Sequence, residues 1–384
     1  MRAKNREFSN LKGLAFALAL LAAAFWYYGV KFTATLLIIS FLVFFHELGH
    51  FLVAKFFGVK VRVFSIGFGQ RLFGREIGGT DYRVSAIPLG GYVQLKGQND
   101  ADPSEKSTDP DSYGGVSAWK RVAILFAGPA FNVLLAFLLY GGVGYLGVDK
   151  LAASVGGVLE NSASVGILER GDKILAINGH EVREWDEMKN LIAEFGAGEK
   201  PLELKIERGG KVSNLNITPR VGLSRNIFGE EIHTPLVGIA PSGEFVTVYH
   251  RGFESLSFAA SETWEASKLT ILGLEKLILG IVPVKDMAGI VGIADITTRA
   301  AGLGASTLML IAALISVNLG LLNLLPLPVL DGGHIVFNLY EMIFRRPVSE
   351  RVFVALSYAS MALLLALMAF TVVNDILRMS GAYK

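Results

Sequence analysis

Three ionisable side chains stand in a segment otherwise fit for lipid. His46, Glu47 and His50 are the only ionisable residues between Lys31 and Lys55, within the stretch FFHELGHFLVAK at 44–55. Such groups are costly to desolvate, and inside a membrane segment they mark a functional site by default. Their pattern is His-Glu-x-x-His. On a helix, residues four apart share a face, so both imidazoles can grip one metal ion while the glutamate projects beside them. Imidazole and carboxylate ligands suit zinc, and a catalytic zinc keeps one position open for water. The ion lowers the pKa of that water to about 7 and polarises a peptide carbonyl, leaving Glu47 placed to take the proton. A five-residue pattern also recurs by chance, and lone histidines on apolar faces usually serve packing. The apolar setting argues against that reading here.

Two imidazoles need a third protein ligand, expected from another apolar segment. Residues 305–330 contain no ionisable group, and the run ends in NLLPLPVLDGGH at 323–334. Asp331 follows Pro326 and Pro328, which interrupt helical hydrogen bonding. Broken backbone at membrane depth is tolerated where it lines a cavity or is buried in protein. Asp331 is the preferred third ligand, and His334 is a rival that spacing alone leaves open. His46 lies about 13 Å of helix from Lys55, a modest depth beneath the cytoplasmic surface. Asp331, at the cytoplasmic end of its own run, matches it in height.

The elements that must position these residues are mostly membrane helices. The 384 residues are 52% hydrophobic and 18% charged, with a mean hydropathy of +0.47, whereas soluble domains carry about 25% charged residues. The chain therefore reads as a polytopic α-helical membrane protein. A net charge of +2 without a Lys/Arg cluster points away from nucleic acid, and the absence of cysteine excludes disulfides and thiolate-held zinc. Residues 1–31 form a basic N-terminus with an extra span over 13–30, expected to turn near YYGVK before a transmembrane helix at 32–57 that carries the motif. A β-hairpin, re-entrant region on the cytoplasmic side covers 58–119. Further spans cover 120–148, the broken segment 303–334 and 352–377, with a cytoplasmic loop at 335–351 and a tail at 378–384. Lys/Arg-rich loops place the N-terminus, 55–121 and 345–351 in the cytoplasm, leaving 149–300 outside.

That outer region opens with a different pattern. Residues 149–222 alternate as strands, with a helix at EWDEMKNLIAEF and a hairpin about Gly209-Gly210. The string ASVGILERGDKILAING resembles a PDZ domain, an inserted α/β fold. Residues 223–302 hold an amphipathic helix, expected to lie on a surface, and the Gly-rich KDMAGIVGIA, read as a re-entrant loop or a hinge. His180, His233 and His250 have no partners at ligand spacing.

Taken together, HELGH, FSIGFG (64–69), IPLGGYV (87–93), AGPAFN (127–132), the PDZ-like segment and NLLPLPVLDGGH closely resemble the site-2 protease family of intramembrane zinc metalloproteases. The resemblance runs from Phe41 to the C-terminus, and is greatest to the bacterial, PDZ-bearing branch that cleaves anti-sigma factors. It implies one zinc ion per chain, held by His46, His50 and Asp331, with Glu47 as general base. It implies a four-span core in the bacterial inner membrane, with the PDZ-like domain in the periplasm. Substrates would be single-pass membrane proteins, cut within the transmembrane segment after an upstream site-1-type protease has trimmed them. The additional span 13–30 is outside what the resemblance explains.

Two candidate hairpins, VRVFSIGFGQRLF and DYRVSAIPLGGYVQL, would offer a strand edge to an unwound substrate. Gly67, Gly69, Gly90 and Gly91 are therefore candidate substrate-binding residues. Asn132 and Asn323 join them, either holding substrate or tying helices together. A zinc transporter, or a PDZ-bearing scaffold with a structural metal, are the alternative functions. Neither has a use for Glu47 as a base.

Overall fold

The computed structural model describes residues 2–98 and 107–381, and most side chains before Phe32 lie outside that description. The chain begins with α1 (Arg2–Phe56), β1 (Val61–Ile77), β2 (Thr80–Leu95) and α2 (Ala118–Leu146). A β-rich stretch follows: β3 (Val148–Leu151), β4 (Val155–Val158), β5 (Lys173–Ile177), β6 (His180–Glu181), α3 (Trp185–Phe195), β7 (Leu202–Arg208) and β8 (Lys211–Ile217). It continues through β9 (Arg220–Arg225), β10 (Glu231–Leu236), β11 (Ile239–Pro241) and β12 (Phe245–Val248). Helices close the chain: α4 (Phe253–Ile278), α5 (Ile290–Leu303), α6 (Ala305–Asn323), α7 (Asp331–Phe344) and α8 (Glu350–Met379).

The chain divides into two compact units. The helical unit runs from the N-terminus to Val143, with Leu256–Leu272 and everything after Pro283. Among the described residues, four helices are long and apolar enough to cross a membrane: Phe32–Phe56, Ala118–Leu146, Ala305–Asn323 and Glu350–Met379. The helix breaks at Gly29 (φ 80°, ψ 172°), just before the first of these. The expected extra span over 13–30 falls in the preceding part of α1, where few side chains are described.

Within this unit α1 packs on β1, β2, α5 and α6. Phe51, Ala54, Val61, Phe64, Leu95 and Ile124 form one core between α1, the strands and α2. The two expected hairpins are instead one folded strand pair. Val63–Ile66 of β1 pairs with Gly91–Gln94 and also with Asp81–Val84, while the far half of β1 pairs with Thr80–Ser85. Residues 256–272 of α4 do not simply lie on a surface. Ala259 and Ala266, seven apart on one face, pack against Ala136 and Tyr140 of α2 and Ala313 and Val317 of α6. Small side chains let helix backbones approach closely in a setting where lipid supplies no hydrophobic drive.

The β-rich unit spans Gly144–Ser255 with Gly273–Val282, beyond the expected 149–222. The reason is long-range pairing, because β11 and β12 return to β4 and β3. Its main sheet has the order β6-β5-β7-β8. Gly209 and Gly210, both at positive φ, make the two-residue β7–β8 turn. Helix α3 starts at an N-cap formed by Glu184 and buries Trp185, Met188 and Ile192 in a core with Ile174, Ile177, Leu204 and Ile206.

Candidate metal and catalytic centre

α1 carries His46 and His50 one helical turn apart, and both are buried. The third group arrives on a broken backbone. α6 ends at Asn323, residues 324–330 turn through Pro326 and Pro328, and α7 begins at Asp331. The Asp331 carboxylate Oδ2 lies 3.1 Å from His46 Nε2 and 3.4 Å from His50 Nε2, and the two Nε2 atoms are 3.1 Å apart. A tetrahedral zinc with ligands at about 2.0–2.1 Å holds them about 3.3 Å from one another, so this triangle has the right size. Its electrostatics agree. His50 Nδ1 lies 2.8 Å from the Ile124 carbonyl oxygen, which can only accept. Nδ1 therefore carries a proton, which leaves Nε2 as the atom that can hold a metal beside the carboxylate. Lone pairs and a carboxylate converging on one point repel unless a proton or a metal cation sits among them. His46, His50 and Asp331 can hold one metal ion, and they are the only such group among the described residues.

The rival ligand His334 instead packs its ring against Phe353 of α8, at 5.8 Å between centroids. Glu47 stands beside this cluster, half-buried, and its Oε2 accepts a hydrogen bond from the Val93 amide of β2 at 3.1 Å. That amide lies on the outer side of the Gly91–Leu95 segment, whose other side pairs with β1. A backbone donor fixing the glutamate has no signature in sequence, because every residue but proline carries one.

Of the candidate substrate residues, Asn323 reaches the atom that faces Asp331, with Nδ2 3.4 Å from His46 Nε2. Gly91 faces Glu47, since a Cβ there would stand 3.7 Å from Glu47 Cγ. Gly90 lies against Val43 of α1 and Phe68. Gly67 and Gly69 lie farther along the strand pair, against Ser85 and Ile87. Asn132 is fully buried behind His46, with its amide 3.0 Å from His46 Nδ1. Gly128, one turn earlier on α2, leaves room for both imidazoles. A Cβ there would fall 2.3 Å from His50 Nε2 and 2.8 Å from His46 Cε1.

A chain with this centre, set among helices able to cross a bilayer, invites comparison with known proteins. Residues 34–367 match the model of peptidase family M50. The chain belongs to that family. Among its relatives, Cj1068 of Campylobacter jejuni, named as a zinc metalloprotease, is 49% identical over 97% of this chain and all of its own length. A zinc metalloprotease homologue of Helicobacter pylori strain 26695 is 36% identical over 91% of this chain and 99% of its own. A third relative, Atu1380 of Agrobacterium fabrum, is 34% identical over 90% of this chain and 95% of its own. The PDZ domain of an SdrC-like protein from Listeria innocua covers 23% of this chain and 92% of that domain, at 26% identity and a TM-score of 0.19. As an M50 member this chain is a membrane zinc metalloprotease.

Proposed function

We propose that the chain hydrolyses a peptide bond within the transmembrane segment of single-pass membrane proteins, using His46, His50 and Asp331 as zinc ligands and Glu47 as general base. The observation that carries this reading is the convergence of two helical imidazoles and a carboxylate from a broken helix, with a carboxylic acid beside them. Bound zinc supplies Lewis acidity and water of pKa about 7. Glu47 takes the proton of the attacking water and delivers it to the leaving amide nitrogen, while the Val93 N–H holds its carboxylate in place. Asn323 directs an amide donor into the same space, where it stabilises charge developing on the carbonyl oxygen. Gly90 and Gly91 let an unwound substrate approach Glu47 along the outer strand. This matters because peptide bonds inside an intact helix are shielded from attack.

In this reading the β-rich unit is a PDZ-like domain on the periplasmic side of a bacterial inner membrane. Substrates are anti-sigma factors or comparable signalling proteins, already trimmed by a site-1-type protease. Residues 64–95 meet the substrate near the cytoplasmic face, where Lys/Arg-rich loops orient the chain. The test is cleavage of a single-pass substrate by the purified protein in liposomes, with the cut mapped by mass spectrometry. The reading expects a cut inside the apolar segment, abolished by a chelator and restored by zinc. Zinc flux across the vesicle without cleavage would assign the ligands to transport instead.

A further inference from the structure

The two ligand histidines are not supported alike, and the difference singles out Asn132. For His50 the tautomer is fixed by the Ile124 carbonyl at Nδ1. For His46 the neighbour at Nδ1 is the Asn132 side chain, placed with Nδ2 3.0 Å away and Oδ1 buried without a partner. In that placement the amide donates to Nδ1, so the His46 proton must sit on Nε2, the atom that faces Asp331 and His50. An Nε2–H cannot ligate. Which end of an amide is oxygen is a matter of assignment from hydrogen bonding. Turning the amide over leaves one polar atom unpartnered in either case, so the asparagine itself does not decide. The imidazole does.

We infer that Asn132 is a positioning residue whose Oδ1 accepts the His46 Nδ1–H, holding His46 in the tautomer that presents Nε2 to the metal. This inference rests on the zinc-ligand reading above. The local architecture is built for the task. Ile124, Gly128 and Asn132 lie four apart on one face of α2, so a single stripe offers an acceptor, a clearance and a second acceptor to His50 and His46 on α1. α6 fixes that turn of α2 from behind. Ser316 Oγ donates to the Asn132 carbonyl at 2.8 Å, and a Cβ on Gly320 would stand 2.9 Å from the Pro129 carbonyl oxygen.

The experiment compares zinc affinity by chelator competition in the full-length wild type, Asn132→Asp, Asn132→Leu and His46→Ala. Asp keeps an acceptor and lacks a donor, whereas Leu keeps the bulk and lacks both. The inference expects Asn132→Asp to bind zinc at least as tightly as wild type, and Asn132→Leu about 10–100-fold more weakly. Cobalt-loaded Asn132→Asp should keep the tetrahedral visible spectrum of wild type. Melting of the metal-free proteins separates this from a folding defect, which would lower both variants without regard to the acceptor. Wild-type affinity in Asn132→Leu, or equal losses in Asp and Leu, would overturn the inference while leaving the zinc site intact. Wild type and His46→Ala binding alike would remove the zinc-ligand reading, and this inference with it.

Discussion

Gly128 shows how tightly the residues of the centre constrain one another. Its hydrogen occupies a place where any Cβ would stand 2.3 Å from His50 Nε2, so Gly128→Ala must displace an imidazole. The expected outcome is zinc affinity lowered about 10–100-fold with an unchanged far-UV spectrum, measured by chelator competition. Wild-type affinity would show that the rings have slack. The residues of this cluster were legible in sequence because titratable groups stand out in an apolar run, as His46, Glu47 and His50 do before Lys55. Their supports were not. The Ile124 carbonyl and the Val93 amide belong to residues whose side chains carry no hint of the role. Asn132 was visible as a polar residue in a span, but only packing shows that it backs His46.

Elements are joined in the helical unit by a few polar contacts, and α8 is the sharpest case. Its buried residues are Ser360, Thr371, Asn374 and Asp375. The Asp375 carboxylate accepts from the Gly289 amide at 3.2 Å and the Gly292 amide at 2.7 Å, at the start of α5. Asn374 and Arg378 both donate to the Lys285 carbonyl just before it. A carboxylate there satisfies amides that a helix start leaves open and complements its dipole. Asp375→Ala should cost about 1–3 kcal/mol, the penalty for unpaired buried donors, read as a lower melting temperature. Asp375→Asn, which keeps an acceptor oxygen, should lose less. Equal melting of all three proteins would mean that the contact does not hold α8 to α5. The Gly-rich 285–294, read in sequence as a re-entrant loop or a hinge, instead leads into the first turn of α5, and its reason lies more than eighty residues away on α8. The charges of α4 similarly suggested a surface helix, while the alanine pair at 259 and 266 carried the packing information.

At the scale of the whole molecule, acid addresses the β-rich unit through one ion pair. Asp172 is buried, and burial alone would raise its pKa. The Arg208 guanidinium, in two hydrogen bonds of 2.7 Å, overcomes this and holds the carboxyl below the usual carboxylate range, helped by the Glu169 amide. A depressed folded pKa contributes stability above the unfolded value of about 3.9 and loses it as pH falls through the folded value. Amide exchange of β5 and β7, followed by mass spectrometry in the full chain, should therefore accelerate on acidification below about pH 4. Asp172→Asn should flatten that dependence, and an unchanged slope would remove Asp172 as its source. The helical unit was broadly legible, since span length and apolarity are local properties of the chain. The extent of the β-rich unit was not, because β11 and β12 close it by pairing across about ninety residues. The central claim joins both scales: helices crossing a membrane exist here to hold a base beside a metal. It is tested most directly by Glu47→Gln, assayed for zinc content and for cleavage of a single-pass substrate. The account predicts about one zinc per chain, as in wild type, with cleavage lowered by about 10²-fold or more. Cleavage at the wild-type rate in a zinc-loaded Glu47→Gln protein would contradict it.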